Sequence, residues 1–281
     1  GSKSISYSFS VTDTSGVNYT SGNASANGTM ALTSIPRAST VSGGSGNIGS
    51  KTTINISRAS NSFTHNLTYY FGALTGTIAP GVGSSYEWTI PTSFYSQIPN
   101  SNTGTGSIVC ETYSGSTLIG SKTISFTAKV TNSNPTFSAN NVTYADTNTT
   151  VTAITGNNQH IVQGKSNLKV TFSQATARNS ATIKSYSFTL NGVTKTSTSA
   201  GGTIDFGVIN SASNLTLTAT VTDSRGNTTT VTKTITCLPY VSPNTLTTLN
   251  RKNNYEDETY IKVDGAVASV NGKNKIEVLQ Y

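Results

Sequence analysis

The 281-residue sequence is 34% hydrophobic and only 10% charged, with a formal net charge of +7. Low charge together with recurring Val, Ile, Thr, Tyr and Phe excludes a disordered chain, because disordered chains combine low hydrophobicity with high charge. No apolar run approaches the roughly 18–20 residues of a membrane-spanning helix, so we expect no membrane insertion.

The first 38 residues begin with an alternating apolar pattern. Ile5, Tyr7, Phe9 and Val11 are separated by Ser and Thr residues, and this period of two predicts a strand with one buried face. A second short apolar stretch follows a Gly/Asn/Ser-rich segment. Two strands rarely fold alone in water, so we interpret residues 1–38 as strands from the end of an upstream β domain or as strands that pack on the first sandwich.

Residues 39–132 have many short alternating runs punctuated by turns, which predicts a first immunoglobulin-like sandwich. Every second residue of 63–71 is predicted to share one buried face. Residues 90–99 carry a proline near each end and are predicted to hold one helical turn. Residues 114–116 are predicted to turn between the last two strands.

Residues 133–243 repeat the pattern and predict a second immunoglobulin-like sandwich. Asn191 and Gly192 form a hairpin signal because both residues tolerate a positive φ. Residues 223–227 predict the turn of a closing hairpin. The polar stretch 140–158 shows no clear period and is the least defined part of this domain.

Residues 244–281 are richer in Asp, Glu and Lys than the rest of the chain. The pattern predicts a strand at 260–263 and a hairpin turn at Asn271-Gly272, with Ile276, Val278 and Tyr281 after it. We interpret this part as the start of a truncated third β domain. The predicted fold class is therefore all-β, with tandem immunoglobulin-like β-sandwiches in an elongated arrangement.

The sequence offers few residues for catalysis or for metal and cofactor binding. His65 and His160 are predicted to be packed or rim histidines, and Cys110 and Cys237 to be separate buried thiols. A glycosidase would need two convergent carboxylates, and Glu87 and Glu111 are the only acids of the first sandwich. The acidic cluster at 256–258 lacks the loop spacing of a calcium site. We expect no enzyme activity, no metal and no cofactor.

Basic residues and exposed aromatic residues are the two kinds of candidate binding residue. Seven basic and three acidic residues give 133–243 a charge of +4, which would attract anionic polymers such as teichoic acids. However, its lysines are spread over different predicted strands without interleaved aromatic residues, so nucleic acid is not an expected partner. Exposed aromatic rings stack on sugars, and the candidate glycan-contact residues are Trp88, Tyr95, Tyr70 and Tyr113.

Several segments of the chain are similar in sequence to a known protein family. These segments are residues 34–39, 46–49, 54–60, 63–72, 88–91, 118–128, 242–244, 251–254 and 260–265. Together they resemble a siphovirus family of minor structural or tail proteins, with immunoglobulin-like domains, from phages of streptococci and related Gram-positive hosts. The resemblance implies a location in the virion, in the tail, and identifies no functional residue.

The sequence therefore predicts a non-enzymatic virion protein of a phage tail fibre or adhesion device. Expected partners are other tail proteins and host cell-wall polysaccharide or teichoic acid. Whether this part of the chain spaces a host-binding site or presents one stays open. The alternative is a cell-wall adhesin of a Gram-positive bacterium built from similar modules.

Overall fold

The computed structural model describes residues 37–255 and 257–277. The chain divides into two compact units. The first contains the described residues up to Gly46, then Ser50–Ile90 and Thr105–Thr127, and the second contains Asn47–Gly49, Pro91–Gly104 and the described residues from Ala128 onward. The strands and core residues predicted for 1–36 lie outside the described residues.

Eight strands between residues 40 and 129 form two sheets. They are β1 (Thr40–Gly43), β2 (Gly46–Asn47), β3 (Lys51–Ser57), β4 (Phe63–Phe71), β5 (Leu74–Val82), β6 (Ser85–Thr89), β7 (Thr103–Ser114) and β8 (Thr117–Lys129). One sheet has the order β1-β3-β6 and the other β2-β8-β7-β4-β5. The predicted turn at Gly115 joins β7 to β8, with a φ of 59° that favours glycine.

The core of the first unit lies between these two sheets. Trp88 of β6 packs edge-on against Phe126 of β8, with ring centroids 5.3 Å apart, and stacks on Tyr69 of β4 at 5.9 Å. Phe71 stacks on Phe126 at 5.9 Å. These contacts join β6 of one sheet to β4 and β8 of the other, so the first unit is a sandwich of two facing sheets.

The second unit contains a further sandwich and one short helix. Its elements are β9 (Val142–Asp146), α1 (Thr149–Thr155), β10 (His160–Val162), β11 (Asn167–Phe172), β12 (Ile183–Leu190), β13 (Val193–Ser197), β14 (Gly202–Val208), β15 (Leu215–Asp223) and β16 (Thr228–Leu238). The sheet orders are β10-β16-β15-β12-β13 and β14-β11-β9. Strands β10 and β16 are parallel, and the other pairs are antiparallel.

Aromatic rings close the core of this second sandwich. Phe172 of β11 lies 4.8 Å from Tyr186 and 4.9 Å from Phe188, both on β12, measured between ring centroids. The predicted hairpin at Asn191-Gly192 is confirmed, with φ values of 48° and 78° in the turn between β12 and β13. The predicted turn at 223–227 is confirmed between β15 and β16.

Helix α1 forms within the polar stretch 140–158, for which no element was predicted. Its N-cap is Asn148, whose Oδ1 accepts hydrogen bonds from Thr150 N at 3.1 Å and Val151 N at 3.3 Å. Gly156 ends it with a φ of 64°. A helix of seven residues is too short to show a clear 3.6-residue period, so its caps were the only available signal.

Three short 3-10 helices complete the connections. They span Thr92–Gln97, Ala139–Asn141 and Lys252–Asn254. The first confirms the helical turn predicted between the two prolines of 90–99. None of the helices in the described part of the chain has the length and hydropathy needed to span a bilayer.

A two-stranded ribbon follows the second sandwich. Strands β17 (Asn244–Arg251) and β18 (Thr259–Ala266) pair antiparallel over eight residues, which confirms the strand predicted at 260–263. Val270, Asn271 and Gly272 have positive φ, so the predicted turn forms. No strand follows it among the described residues, because Asn274 N bonds back to Ser269 O at 3.1 Å and closes a compact turn instead.

The all-β prediction of tandem immunoglobulin-like sandwiches is confirmed by the two pairs of facing sheets. The domain boundaries predicted at 38/39, 132/133 and 243/244 stay predictions. The hairpin residues Val278 and Tyr281 lie outside the described residues.

Candidate functional site

Two of the four predicted glycan-contact residues lie on one exposed face of the first unit. Residues of β4 and β7 alternate between the core and solvent, with His65, Leu67 and Cys110 pointing inward. The residues between them point outward and form what we call the outer face. It consists of Thr64, Asn66, Thr68 and Tyr70 on β4 and Ser107, Val109, Glu111 and Tyr113 on β7.

Tyr70 and Tyr113 mark the two ends of this outer face. Tyr113 pairs with Thr64 and Tyr70 pairs with Ser107, so the two tyrosines are six residues apart along the strands. At about 3.3 Å per residue this is about 20 Å. The two rings therefore cannot hold one small ligand together, but they can contact separate parts of an extended polymer.

Polar groups lie between and beside the two rings. The Tyr113 hydroxyl donates a hydrogen bond to Glu111 Oε2 at 2.9 Å, and Asn66 Oδ1 accepts one from Gly81 N at 3.1 Å. The bond to Glu111 raises the pKa of Tyr113; partial burial and the charge of Glu111 add to the rise, while a hydrogen bond with Asn66 lowers it. The phenol thus stays protonated, as a donor, at neutral pH.

The chemistry of the outer face suits a neutral polyhydroxyl ligand. Tyr70 is 48% exposed and offers a ring for stacking. Asn66, Glu111 and the threonine hydroxyls offer hydrogen-bond donors and acceptors. Glu111 is the single charge among the eight residues of this face, so the face has no group that would attract a phosphate polymer.

Trp88 does not belong to this face, and its predicted surface role is wrong. The residue is only 5% exposed, because it fills the space between the two sheets against Tyr69 and Phe126. The sequence correctly predicts that Trp88 lies on a strand. However, the side chain of a strand residue can point either into the core or towards solvent. The neighbouring pattern of β6 is too short to decide between them.

Tyr95 belongs to the second unit and is half-buried there. Its hydroxyl donates to Ile48 O at 3.3 Å, and its backbone carbonyl accepts from Arg225 Nη2 at 3.3 Å. Tyr95 therefore serves as part of a hydrogen-bond network within the second unit.

Arg225 is the centre of that network, and sequence analysis missed it. The side chain is buried, and its Nε lies 3.1 Å from Ile98 O and 3.0 Å from Ser101 O. Burial lowers the pKa of Arg225, while the charge of Asp223 and the nearby Tyr95 raise it. The acceptors, all in the second unit, are the carbonyls of Tyr95, Ile98, Ser101, Arg178 and Asn179 and the hydroxyl of Ser133.

The carboxylates considered for glycoside hydrolysis do not converge. Glu87 lies on β6, exposed and paired with Lys51, whereas Glu111 lies on β7 in the other sheet. The neighbours Trp88 and Cys110 both point into the core between the sheets. Since successive residues of a strand point to opposite sides, the two acids point to opposite faces of the sandwich.

A serine and a histidine do lie within hydrogen-bond distance, but they are closed to solvent. His65 Nδ1 lies 2.9 Å from Val82 O, and a carbonyl can only accept, so Nδ1 carries the proton. His65 Nε2 then accepts from Ser39 Oγ at 2.8 Å, and Ser39 N donates to Thr112 Oγ1 at 3.0 Å. Ser39, His65 and Thr112 are all buried, so this network stabilises the first unit and confirms the packed role predicted for His65.

His160, the other histidine, is half-buried at the start of β10. Cys110 and Cys237 are free, buried and in different units, as predicted. Burial raises the pKa of the Cys110 thiol to about 11 and also raises that of Cys237. Within the described residues, no three His, Cys, Asp or Glu side chains are grouped as a metal site requires.

A cleft of about 630 Å³ in the second unit lies near Tyr186. Besides Tyr186, its lining consists of Ala, Thr, Ser, Gln and Ile residues, namely Gln174, Ala175, Thr176, Ala177, Ala181, Thr182, Ile183, Thr198, Ser199 and Ala200. A lining without carboxylate, imidazole or amine groups offers no acid–base pair.

The lysines of the second unit are spread as expected. Lys169 lies on β11, and Lys184 and Lys195 lie on β12 and β13 of the other sheet. Lys165 Nζ lies over the Tyr240 ring at 5.1 Å. These positions do not form one basic surface for an anionic polymer.

Comparisons with known proteins give one family and several distant folds. The model of the family described as "Siphovirus protein of unknown function (DUF859)" matches residues 1–279. No curated protein matches the chain.

Among solved structures, the chain is similar to fibronectin(III)-like modules of Clostridium thermocellum CbhA, with 15% identity, a TM-score of 0.29 and coverage of 71% of this chain and 95% of that chain. It is similar to a two-domain fibronectin type III segment of chicken tenascin, with 11% identity, a TM-score of 0.32 and coverage of 72% and 98%. It is also similar to a 1.5-MDa bacterial ice-binding adhesin, with 17% identity, a TM-score of 0.27 and coverage of 73% and 62%.

Proposed function

Because this chain belongs to the siphovirus protein family whose model matches residues 1–279, we propose that it is a non-enzymatic structural protein of the phage tail. In this role its sandwiches extend a tail fibre or adhesion device that contacts the wall of a Gram-positive host. The observation that carries the proposal is the family match on a chain built from β-sandwiches.

This part of the protein could either act as a spacer for a host-binding site or present such a site itself. The residues of the outer face favour the presenting role. A pure spacer has no need of an exposed ring such as Tyr70, and solvent-facing strand positions are well served by Thr and Ser alone. The outer face instead places two tyrosines, an amide and a carboxylate along about 20 Å of one sheet. We propose neutral cell-wall polysaccharide as its ligand, in preference to teichoic acid, because Glu111 repels phosphate.

The test is binding of the full chain to whole host cells and to purified wall polysaccharide. We expect Tyr70→Ala and Tyr113→Ala each to weaken binding about tenfold, which corresponds to the loss of one aromatic stacking contact. Tyr86→Ala is the matched control, because Tyr86 is 37% exposed on β6 of the other sheet of the same unit. Its binding is expected to stay within about twofold of the unchanged chain.

Two results would contradict the presenting role. A well-folded chain that binds neither cells nor polysaccharide would leave only the spacer role for this part of the protein. Equal losses for Tyr70→Ala and Tyr86→Ala would move the binding site away from the outer face. Release of new reducing ends from wall polysaccharide by the chain, abolished in Glu111→Gln, would overturn the non-enzymatic part of the proposal.

The bacterial cell-wall adhesin considered as the alternative has no specific observation in its favour, since the matching family is a phage family.

A further inference from the structure

Three polar side chains at one end of the outer face form a continuous chain of hydrogen bonds. Gly81 N on β5 donates to Asn66 Oδ1 at 3.1 Å, and the Tyr113 hydroxyl donates to Glu111 Oε2 at 2.9 Å. Glu111 raises the pKa of this phenol, whereas the hydrogen bond with Asn66 lowers it, as only a bond donated to the phenol oxygen does. Asn66 Nδ2 is therefore the donor to Tyr113, and the orientation of the Asn66 amide is fixed by both of its ends.

Two members of this chain keep hydrogen-bonding capacity for a ligand. A carboxylate accepts about four hydrogen bonds and an amide nitrogen donates two, whereas Tyr113 uses one from each. Within residues 37–255 and 257–277, Tyr113 is the one side chain that donates to the Glu111 carboxylate. Asn66 and Glu111 are both half-buried, so Glu111 Oε1 and the second N–H of Asn66 can be reached from solvent.

This free acceptor and this free donor lie side by side. Asn66 of β4 pairs directly with Glu111 of β7, which places their Cβ atoms about 4.5–5.5 Å apart on the same side of the sheet. A matching ligand has one donor and one acceptor next to each other. Adjacent hydroxyl groups of a sugar ring meet this requirement. A trans secondary amide such as an acetamido group does not, because its N–H and C=O point in opposite directions.

The Tyr113 ring and the Glu111 charge complete the match to hydroxyl groups. Tyr113 lies two residues after Glu111 on β7 and points to the same side. Its hydroxyl is held by both Glu111 and Asn66, so its ring is positioned before a ligand arrives and little ordering is needed on binding. A carboxylate makes stronger hydrogen bonds than a neutral acceptor, and a hydroxyl group can donate to it without adding a charge.

We propose that Asn66, Glu111 and Tyr113 bind a vicinal diol, which is a pair of adjacent hydroxyl groups on one sugar ring of a neutral polysaccharide. One hydroxyl donates to Glu111 Oε1, its neighbour accepts from Asn66 Nδ2, and the C–H face of the sugar packs on the Tyr113 ring. This inference rests on the presenting role proposed above and names the chemical group that the outer face selects.

The test compares native wall polysaccharide with the same polymer after periodate oxidation and borohydride reduction. Periodate cleaves the bond between the two carbons of a vicinal diol, and reduction removes the aldehydes that would react with lysines. Binding of the full chain to each polymer is measured by isothermal titration calorimetry. We expect the dissociation constant to be at least tenfold higher for the oxidised polymer, because a hydrogen bond to a charged acceptor is lost.

Glu111→Gln tests whether this difference arises at the proposed site. It is expected to weaken binding to the native polymer about tenfold and to reduce the difference between the two polymers to less than about threefold, since the charged acceptor is gone. Glu87→Gln is the matched control, because Glu87 is the other acid of the first unit and is exposed on β6, where it pairs with Lys51. This variant should keep the full difference. Circular dichroism and the unfolding midpoint establish that both variants are folded.

Three results would overturn the inference and leave the presenting role intact. The first is equal binding to the native and the oxidised polymer. The second is a difference that persists in Glu111→Gln, which would place the oxidised sugar against another part of the chain. The third is a native polymer that binds the chain but consumes no periodate, since it contains no vicinal diol. Absence of binding to both polymers would instead overturn the presenting role, and this inference with it.

Discussion

The second sandwich and the ribbon that follows it have the same alternating sequence pattern but opposite burial. In β15 of the sandwich, Leu217, Ala219 and Val221 are fully buried, because the facing sheet covers them. In β17 and β18 of the ribbon, Leu249, Ile261 and Val263 alternate in the same way and are about half or more exposed. A period of two thus predicts a strand with one apolar side, but it does not say whether anything covers that side.

The two regions also differ in their polar groups. The sandwich buries Arg225 among backbone carbonyls, and it buries Asp146, which accepts hydrogen bonds from Ser166 Oγ at 2.6 Å and Asn167 N at 2.9 Å. The charged groups of the ribbon form exposed ion pairs, which contribute little to stability. We expect the sandwich to unfold cooperatively and the ribbon to contribute little to that transition.

The largest expected effect is that of Arg225→Met. The substitution leaves several buried carbonyls without their donor, so we expect the free energy of unfolding of the second unit to fall by about 3–5 kcal/mol. The measurement is urea denaturation followed by circular dichroism. Arg251→Met in the ribbon is the control and should change the same transition by less than about 0.5 kcal/mol. Similar losses in both variants would contradict the distinction between the two regions.

Two leucine-to-alanine substitutions, one at a buried and one at an exposed position, test the effect of burial on stability. Leu217→Ala opens a cavity in the core and is expected to cost about 3 kcal/mol, whereas Leu246→Ala removes a side chain that is already exposed and should cost less than about 0.5 kcal/mol. Both are read from the same urea transition as above. If Leu246→Ala proved as costly as Leu217→Ala, the ribbon would be part of a covered core.

The smallest expected effect is a loss of stability at alkaline pH caused by buried thiols. Each sandwich buries one cysteine, whereas the ribbon has none. Burial raises the pKa of Cys110 from its ordinary value near 9 to about 11, and that of Cys237 also rises. The neutral thiol is favoured in the folded state, so stability is full below pH 9 and falls as the pH rises from about 9 to about 11. For Cys110 the loss is on the order of 2 kcal/mol.

This alkaline loss is measured as the change in urea midpoint between pH 8.5 and pH 10.5. Cys110→Ala should flatten the slope for the first unit while lowering its stability at pH 7. Asn250→Cys adds a thiol to the ribbon at an exposed position and should leave the slope unchanged. A slope that persists in Cys110→Ala would show that other groups cause the alkaline loss.

Features that depend on residues close together in the sequence were predicted best. The alternating strands, the hairpin at Asn191-Gly192 and the helical turn after Pro91 follow from short-range preferences and were all predicted. Helix α1 was missed because it is only seven residues long. At Asn271-Gly272 the predicted turn forms, and Val278 and Tyr281 of the predicted second strand lie outside the described residues. Of the four candidate aromatic residues, Tyr70 and Tyr113 share the outer face, while Trp88 fills the core.

The sequence by itself determined the strands, their inward and outward sides and several of the turns, because these depend on residues two to four positions apart. Only the tertiary structure decided which strands face each other, since that depends on contacts between residues far apart in the chain. This is why the role of Arg225, whose partners lie up to 130 positions away, and the exposure of the apolar side chains of the ribbon could not be read from the sequence.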